Sequence, residues 1–416
     1  MQRDRKHLLS WAFYDWANSA FSAIIQTFIF AVYFTQKLAP DPYIGGALWG
    51  GINGTAALFI ALLGPVLGAI ADHGGRRKGW LAFFTLLCIL CTGMLAAFHP
   101  PIPRMYTLLI VSTLAIIASE LAFVFYNAML PSLAPPTHLG RWSGWGWGFG
   151  YAGGMLSLLI SLMIVNLGFP VQWTFLFCAL WYLLFSIPVF LLTPSTSGHG
   201  KPVLRAIRDG LGQLIETFRH VKQYKEIVKF LIARMFYIDG LTTLFAFGGV
   251  YAATTFGMSQ SEVLLFGIMT NISAGVGAVG FAWIDDWIGP KKLILYSLVC
   301  ITIPTLWILI TPQVTLFWGL SFFAGLFVGP LQAGSRSLMA HMAPKHLQNE
   351  MFGFFAFSGK ATSFLGPWFV SWLLLQYDSM RIGLVVVVAF YVIGGVLMLW
   401  VNEHSHDSQE MRPPPE

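Results

Sequence analysis

Apolar runs about as long as a bilayer is thick alternate with short polar breaks along nearly the whole chain. Breaking the pattern where charges, Gly, Pro and Asn cluster predicts twelve membrane-spanning helices, at 10–37, 46–71, 79–98, 105–134, 142–166, 171–193, 227–255, 260–284, 291–311, 313–342, 351–376 and 381–402. A spanning helix needs roughly 20 mostly apolar residues. Twelve with their turns nearly fill 416 residues, leaving no room for a large soluble domain. The expected fold is an all-α membrane protein in two six-helix bundles, 1–193 and 227–402, joined by a linker at 194–226 and followed by a disordered tail at 403–416.

The linker carries its own pattern. Leu204, Ile207, Leu211, Leu214, Phe218 and Val221 share one helical face, with Arg and Lys on the other. That arrangement predicts an amphipathic helix lying on an anionic lipid surface. His404 and His406 fall in the tail, where two histidines on a loose segment do not make a metal site.

Composition agrees with the pattern: 56% of residues are hydrophobic and 10% charged. A soluble domain carries about 25% charged residues, so this chain could not cover an ordinary water-facing surface. The net charge of +6 is not a nucleic-acid signal, because the basic residues follow the loops. Arg3, Arg5 and Lys6 precede the first helix; Arg76, Arg77, Lys78, Arg141, the linker, Lys291, Lys292 and Lys345 lie in even-numbered loops. Odd-numbered loops hold Lys37, Arg104 and Arg381. The asymmetry places both termini and the linker in the cytoplasm of a bacterial inner membrane. Cys88, Cys91, Cys178 and Cys300 sit in apolar runs and read as packing residues. No metalloprotease or nucleophile-elbow motif occurs, so an enzyme, a cofactor and a metal are not expected. The expected partners are a small solute, protons and lipids, with the chain acting as a monomer.

The two halves repeat in order. Phe13-Tyr14-Asp15 matches Phe236-Tyr237-Ile238-Asp239 with one insertion, and Asp72-x-x-Gly75-x-Arg77-Lys78 matches Asp286-x-x-Gly289-x-Lys291-Lys292. Ala134-Pro135 matches Ala343-Pro344, with Gly144 and Gly150 matching Gly353 and Gly359 at the same spacing. A parallel duplication places a substrate site between the halves.

In the loop after helix 2, glycines permit a sharp turn, and Asp72 is positioned to accept hydrogen bonds from a facing helix N-terminus and from Arg76. Arg77 and Lys78 are expected to stay at the lipid phosphates. The whole strip, Gly68-x-x-x-Asp72-x-x-Gly75-Arg76-Arg77-Lys78, resembles the loop of major facilitator transporters. The chain further resembles the vacuole-effluxer, autophagy-related branch of that superfamily through Tyr14-Asp15-Trp16-Ala17-Asn18-Ser19-Ala20, Tyr126-Asn127-Ala128-Met129-Leu130-Pro131, Gln332-Ala333-Gly334-Ser335-Arg336-Ser337 and Ser358-Gly359-Lys360. The resemblance implies a major facilitator fold and, from the eukaryotic members, export of amino acids. Phe149-Gly150 stands where the superfamily's antiporter motif has Gly-Pro, so the direction of transport does not follow.

Ionisable residues within spanning helices face the bundle interior or water. Six qualify: Asp15, Glu120, Arg234, Asp239, Arg336 and Lys360. Glu120, mid-helix with Asn127 on its face, reads as a proton site or as half of an ion pair. Asp239 reads as a coupling or substrate residue; Arg234, five residues earlier, points elsewhere and reads as a gate or structural cation. Asp15, Asn18, Ser22 and Gln26 form a polar stripe facing a cavity, with Asp15 stabilising the helix start or gating. Gln332 and Arg336 share a face, and Arg336 or Lys360 would hold a solute carboxylate or pair with Glu120 or Asp239. Asp72, Arg76, Arg77 and Asp286 are assigned to gating. The functional expectation is a proton-coupled secondary transporter of small polar solutes, amino acids first, working by alternating access. The alternatives are an exporter of amphipathic drugs or toxins, and a membrane sensor or lipid scramblase.

Overall fold

The computed structural model describes residues 2–40, 42–74, 76–99, 105–194, 203–219, 221–258, 260–377 and 379–403. The predicted tail beyond Glu403, with His404 and His406, lies outside them, as do part of the linker and Arg104.

In the first half, α1 (Gln2–Phe21) runs on through a π-helical turn (Ser22–Phe28), α2 (Phe30–Tyr33) and a second π turn (Phe34–Leu38). Then follow α3 (Pro42–Gly74), α4 (Arg77–Leu95), α5 (Met105–Leu133), α6 (Leu139–Asn166) and α7 (Gln172–Leu192). The linker forms α8 (Val203–Arg219). The second half holds α9 (Lys225–Phe256), α10 (Gln260–Gly280), α11 (Ala282–Ile288), α12 (Pro290–Ile310) and α13 (Val314–Met342). It closes with α14 (Gln348–Ser358), α15 (Leu365–Tyr377), α16 (Met380–Gly383) and α17 (Val385–Leu399).

Among the described residues, ten helices are long and apolar enough to cross a bilayer, and α10 with α11, bent by 43°, makes an eleventh. The predicted span 351–376 is instead two short helices. Helix α14 stops at Ser358, a turn follows, and Pro367 sits in the first turn of α15. Proline fits the first turn of a helix, where its missing N–H would have had no partner within the helix. Lys360 therefore lies in a turn and not in a helix, as the uninterrupted apolar pattern had implied.

The halves meet along two seams, α3 against α14 and α6 against α10 and α11. Repeat-related glycines permit both approaches. A Cβ at Gly144 would strike the Ala278 carbonyl and the Ala282 side chain, and one at Gly353 would strike the Gly64 backbone. Within the first half, Gly146, Gly150 and Gly154, spaced by four, lie against Trp11, Asp15 and Ser19 of α1. The glycine-rich helix is thus a packing device with two small-residue faces. The linker helix does more than rest on a surface. Its Gly210 lies directly on the Ala69–Ile70 backbone of α3, while Ile207, Leu211 and Ile215 remain exposed.

Candidate functional site

Contacts between the halves concentrate toward one end, the end that carries Arg76–Lys78, Arg141 and Lys345. Helix α14 has no side-chain cap of its own. Asp72 supplies one from the other half, accepting from the Asn349 amide (3.2 Å), the Glu350 amide (2.9 Å) and Asn349 Nδ2 (2.6 Å). The repeat-related Asp286 does the same for α6, accepting from the Arg141 amide at 3.0 Å, with Arg141 Nε at 3.3 Å. A carboxylate is favoured at a helix N-terminus by the exposed N–H groups there.

The basic residues depart from expectation. Arg77, not Arg76, is the cation near Asp72, at 3.9 Å. It is buried, donating to the Ala128 carbonyl (2.8 Å) and to Gln348 Oε1 across the seam (3.2 Å). Lys78 donates to the Thr193 carbonyl at 2.6 Å. Arg77 is drawn inward because α5 and α14 offer it acceptors that lipid phosphates would otherwise provide. Arg76 is exposed.

Deeper in the bundle, Arg336 of α13 crosses to the first half. Nη1 donates to Asp15 Oδ2 (3.0 Å) and Asn127 Oδ1 (3.2 Å), Nε to Ser143 Oγ (3.0 Å), and Nη2 to the Ser143 carbonyl (2.5 Å). Tyr126 donates to the same Asp15 oxygen at 3.1 Å. The guanidinium lies 5.0 Å from the ring centre of Trp11 and 5.5 Å from that of Trp147. With 1% and 3% of their side chains exposed, Arg336 and Asp15 form a sealed pair. Asn18 sits above them, accepting from Ser119 and Tyr182, each at 2.9 Å.

Seven residues before Asn127 on α5, about 10 Å along the helix axis, Glu120 meets Lys360 Nζ at 2.8 Å. This second pair also joins the halves, but 24% of the Glu120 and 33% of the Lys360 side chain is exposed. Half-buried Phe123, Trp147 and Tyr151 continue along the same wall, with Phe123 edge-on to Trp147 and Trp147 against Tyr151. Gln332 Nε2 donates to Tyr151 Oη at 3.1 Å, and Gln26, in the first π turn, is also half-buried. Such a wall, one charged pair and two amides among aromatics, offers both signs of charge to a small polar molecule.

Arg234 and Asp239 do not pair. Arg234 donates to the Phe355 carbonyl (2.7 Å) and Ser358 Oγ (2.6 Å) and lies over the Phe355 ring. Asp239 is buried beside Thr362, with no ion pair among the described residues and with Oδ1 lacking a hydrogen-bond partner.

Ser143, Tyr126, Trp147, Tyr151 and Glu350 escape the sequence reading. Ser143 stands in a glycine-rich run and nothing marks it out. Trp147 and Tyr151 are spaced by four, the one local signal that they share a face.

Helices long enough to cross a bilayer, closed against one another at one end beyond a partly exposed charged pair, go with the class that the family match and relatives below show: this is an integral membrane transporter of the major facilitator superfamily. The solved proton:xylose symporter XylE superposes with a TM-score of 0.75 at 16% identity, over 97% of both chains. Residues 52–410 match the family described as vacuole effluxer Atg22 like, and the chain belongs to that family. It is 28% identical to the uncharacterized MFS-type transporter YxiO of Bacillus subtilis, over 97% of each chain. Autophagy-related protein 22 of Kluyveromyces lactis is 25% identical over 60% of this chain and 56% of its own length.

Proposed function

We propose that this protein is a proton-coupled secondary transporter of amino acids working by alternating access, with both termini in the cytoplasm of a bacterial inner membrane. The observation that carries the reading is the half-exposed Glu120–Lys360 pair between the halves, lying above the sealed Asp15–Arg336 pair. A zwitterion entering from the opposite face would divide the exposed pair, its carboxylate going to Lys360 and its ammonium to Glu120, with Phe123, Trp147 and Tyr151 beside it. Arg336, held by four hydrogen bonds from all three of its nitrogens, serves as the lock. Asp239, buried and with no ion pair among the described residues, is the coupling proton's site. The basic end is then the cytoplasmic one, closed in this conformation.

Counterflow of labelled amino acids in proteoliposomes, with and without a pH gradient, tests this. Saturable counterflow that the gradient converts to accumulation is expected. In Asp239→Asn, exchange persists without accumulation; in Lys360→Ala, both are lost. Absence of counterflow by folded protein overturns the cargo, and gradient-driven accumulation by Asp239→Asn overturns the proton assignment.

A further inference from the structure

Helix α14 begins with a carboxylate that the lock does not use. Glu350 gives its amide N–H to Asp72 Oδ2, yet its own side chain is 0% exposed, and neither Oε1 nor Oε2 has a hydrogen-bond partner. The elements packed around it offer little compensation. From α3 it faces Asp72, a like charge; His73 is bonded to the Ala69 carbonyl. Arg77 of α4 is held by the Ala128 carbonyl, Gln348 and Asp72. On α9, Arg234 is held by Phe355 and Ser358, Lys229 pairs with Glu226 at 2.9 Å, and Lys225 is exposed. His341 of α13 contacts the Ser337 and Pro136 carbonyls, and Lys345 and His346, just before α14, are exposed. The linker contributes Tyr224 and Glu216, and the buried hydroxyl of Thr217 is the polar group directed at the carboxyl.

We propose that Glu350 is a proton-binding site built into the α3–α14 seam, protonated while the seam is closed and releasing its proton to water when α14 parts from α3. The site lies at the end of the bundle, apart from Asp239 and from the solute-facing pair. A neutral acid there loses nothing to the neighbouring Asp72; a carboxylate would have only the nearby Thr217 hydroxyl to favour it and, among the described residues, no counter-ion. Burial, reinforced by Asp72 and opposed by Thr217, pushes the Glu350 carboxyl up to about 7. The proposal rests on the seam being the moving gate of alternating access.

The sign follows from linkage. The carboxyl binds its proton more tightly closed than open, so closure is favoured at low pH. The closed-to-open ratio falls by up to about tenfold per pH unit above the ordinary carboxyl range. The fall levels off above about 7, where the closed form is deprotonated too.

Spin labels at Arg76→Cys and Lys345→Cys, both exposed positions flanking the seam, read its opening by pulsed electron resonance, with Cys88, Cys91, Cys178 and Cys300 changed to alanine. The parent should lose its short-distance population as pH rises, and Glu350→Gln should keep it at every pH. In Thr217→Val, loss of the opposing hydroxyl should move the transition to higher pH, a second readout that leaves the carboxyl in place. A pH response in Glu350→Gln equal to the parent's, or an unmoved transition in Thr217→Val, overturns the proton site. A seam that opens with substrate but ignores pH overturns the proton site alone; one that never opens overturns the gate as well.

Discussion

Two of the ion pairs that join the halves of this transporter lie deep between them, Asp15 to Arg336 and Glu120 to Lys360, with the same chemistry and nearly the same length, 3.0 and 2.8 Å. Their surroundings differ. Arg336 is enclosed by Trp11, Tyr126 and Trp147 and has every arm of its guanidinium engaged. Lys360 sits in the turn between α14 and α15, holds one carboxylate, and keeps a third of its side chain accessible. A buried pair is stabilising only when its geometry is good and further hydrogen bonds serve its remaining donors, and all three nitrogens of Arg336 donate. An exposed pair contributes about 0–1 kcal/mol, so little is lost when a solute takes its place. The enclosed pair is built to hold the halves together and the open one to be exchanged.

The comparison breaks most visibly at Arg336. Arg336→Ala leaves Asp15 buried without its cation, which should destabilise the closed conformation by about 3–5 kcal/mol. The distance across the Arg76–Lys345 seam should lengthen, and transport should fall to background. Arg336→Lys should rescue little, because an ammonium cannot reach Asp15, Asn127 and Ser143 in one plane; recovery of both distance and transport would show that charge alone makes the lock.

A smaller effect is expected at the seam itself. Gly353→Ala puts a methyl group against the Gly64 backbone, and such overpacking costs about 1–3 kcal/mol. The closed population should drop while the open form keeps its melting temperature, so the two readouts separate a gate defect from a folding defect. Asp72→Ala and Asp286→Ala each remove a cap that crosses between the halves, at about 1 kcal/mol each. The double variant should show the sum, because the two caps sit on different seams; strong non-additivity would mean that the seams close as one unit.

The smallest change in stability belongs to the open pair. Glu120→Gln and Lys360→Ala should each alter the melting free energy by less than about 1 kcal/mol while abolishing counterflow. A destabilisation as large as that of Arg336→Ala would erase the distinction between the pairs and return Glu120 and Lys360 to a structural role.

Several contacts could be read only in part from the linear pattern. The recurrence of Asp72 and Asp286 announced two equivalent turns, and both capping roles appear. The recurrence of Asp15 in Asp239 does not extend to their partners: Asp15 pairs with Arg336, whereas Asp239 has no ion pair among the described residues. Repetition reports common descent of the backbone, whereas partners are chosen by whichever side chain the opposite half presents. Arg77 shows the same gap: its loop reads as lipid-facing, yet carbonyl acceptors from α5 turn it inward. Glu350 lies just before a predicted span, and nothing in the sequence marks it, since its burial depends on α3 and the linker closing over it.

What the sequence determined by itself was the solvent, the segmentation and the duplication. Each follows from a property local to the chain: apolar length sets what can cross a bilayer, and spacing sets which residues share a helix face. Tertiary structure alone decided which of six intramembrane charges pair, which pair stays accessible, and where the eleventh span breaks around Lys360. Those outcomes depend on residues hundreds of positions apart arriving at one place, where a carboxylate's state is set by the cation, hydroxyl or water that reaches it.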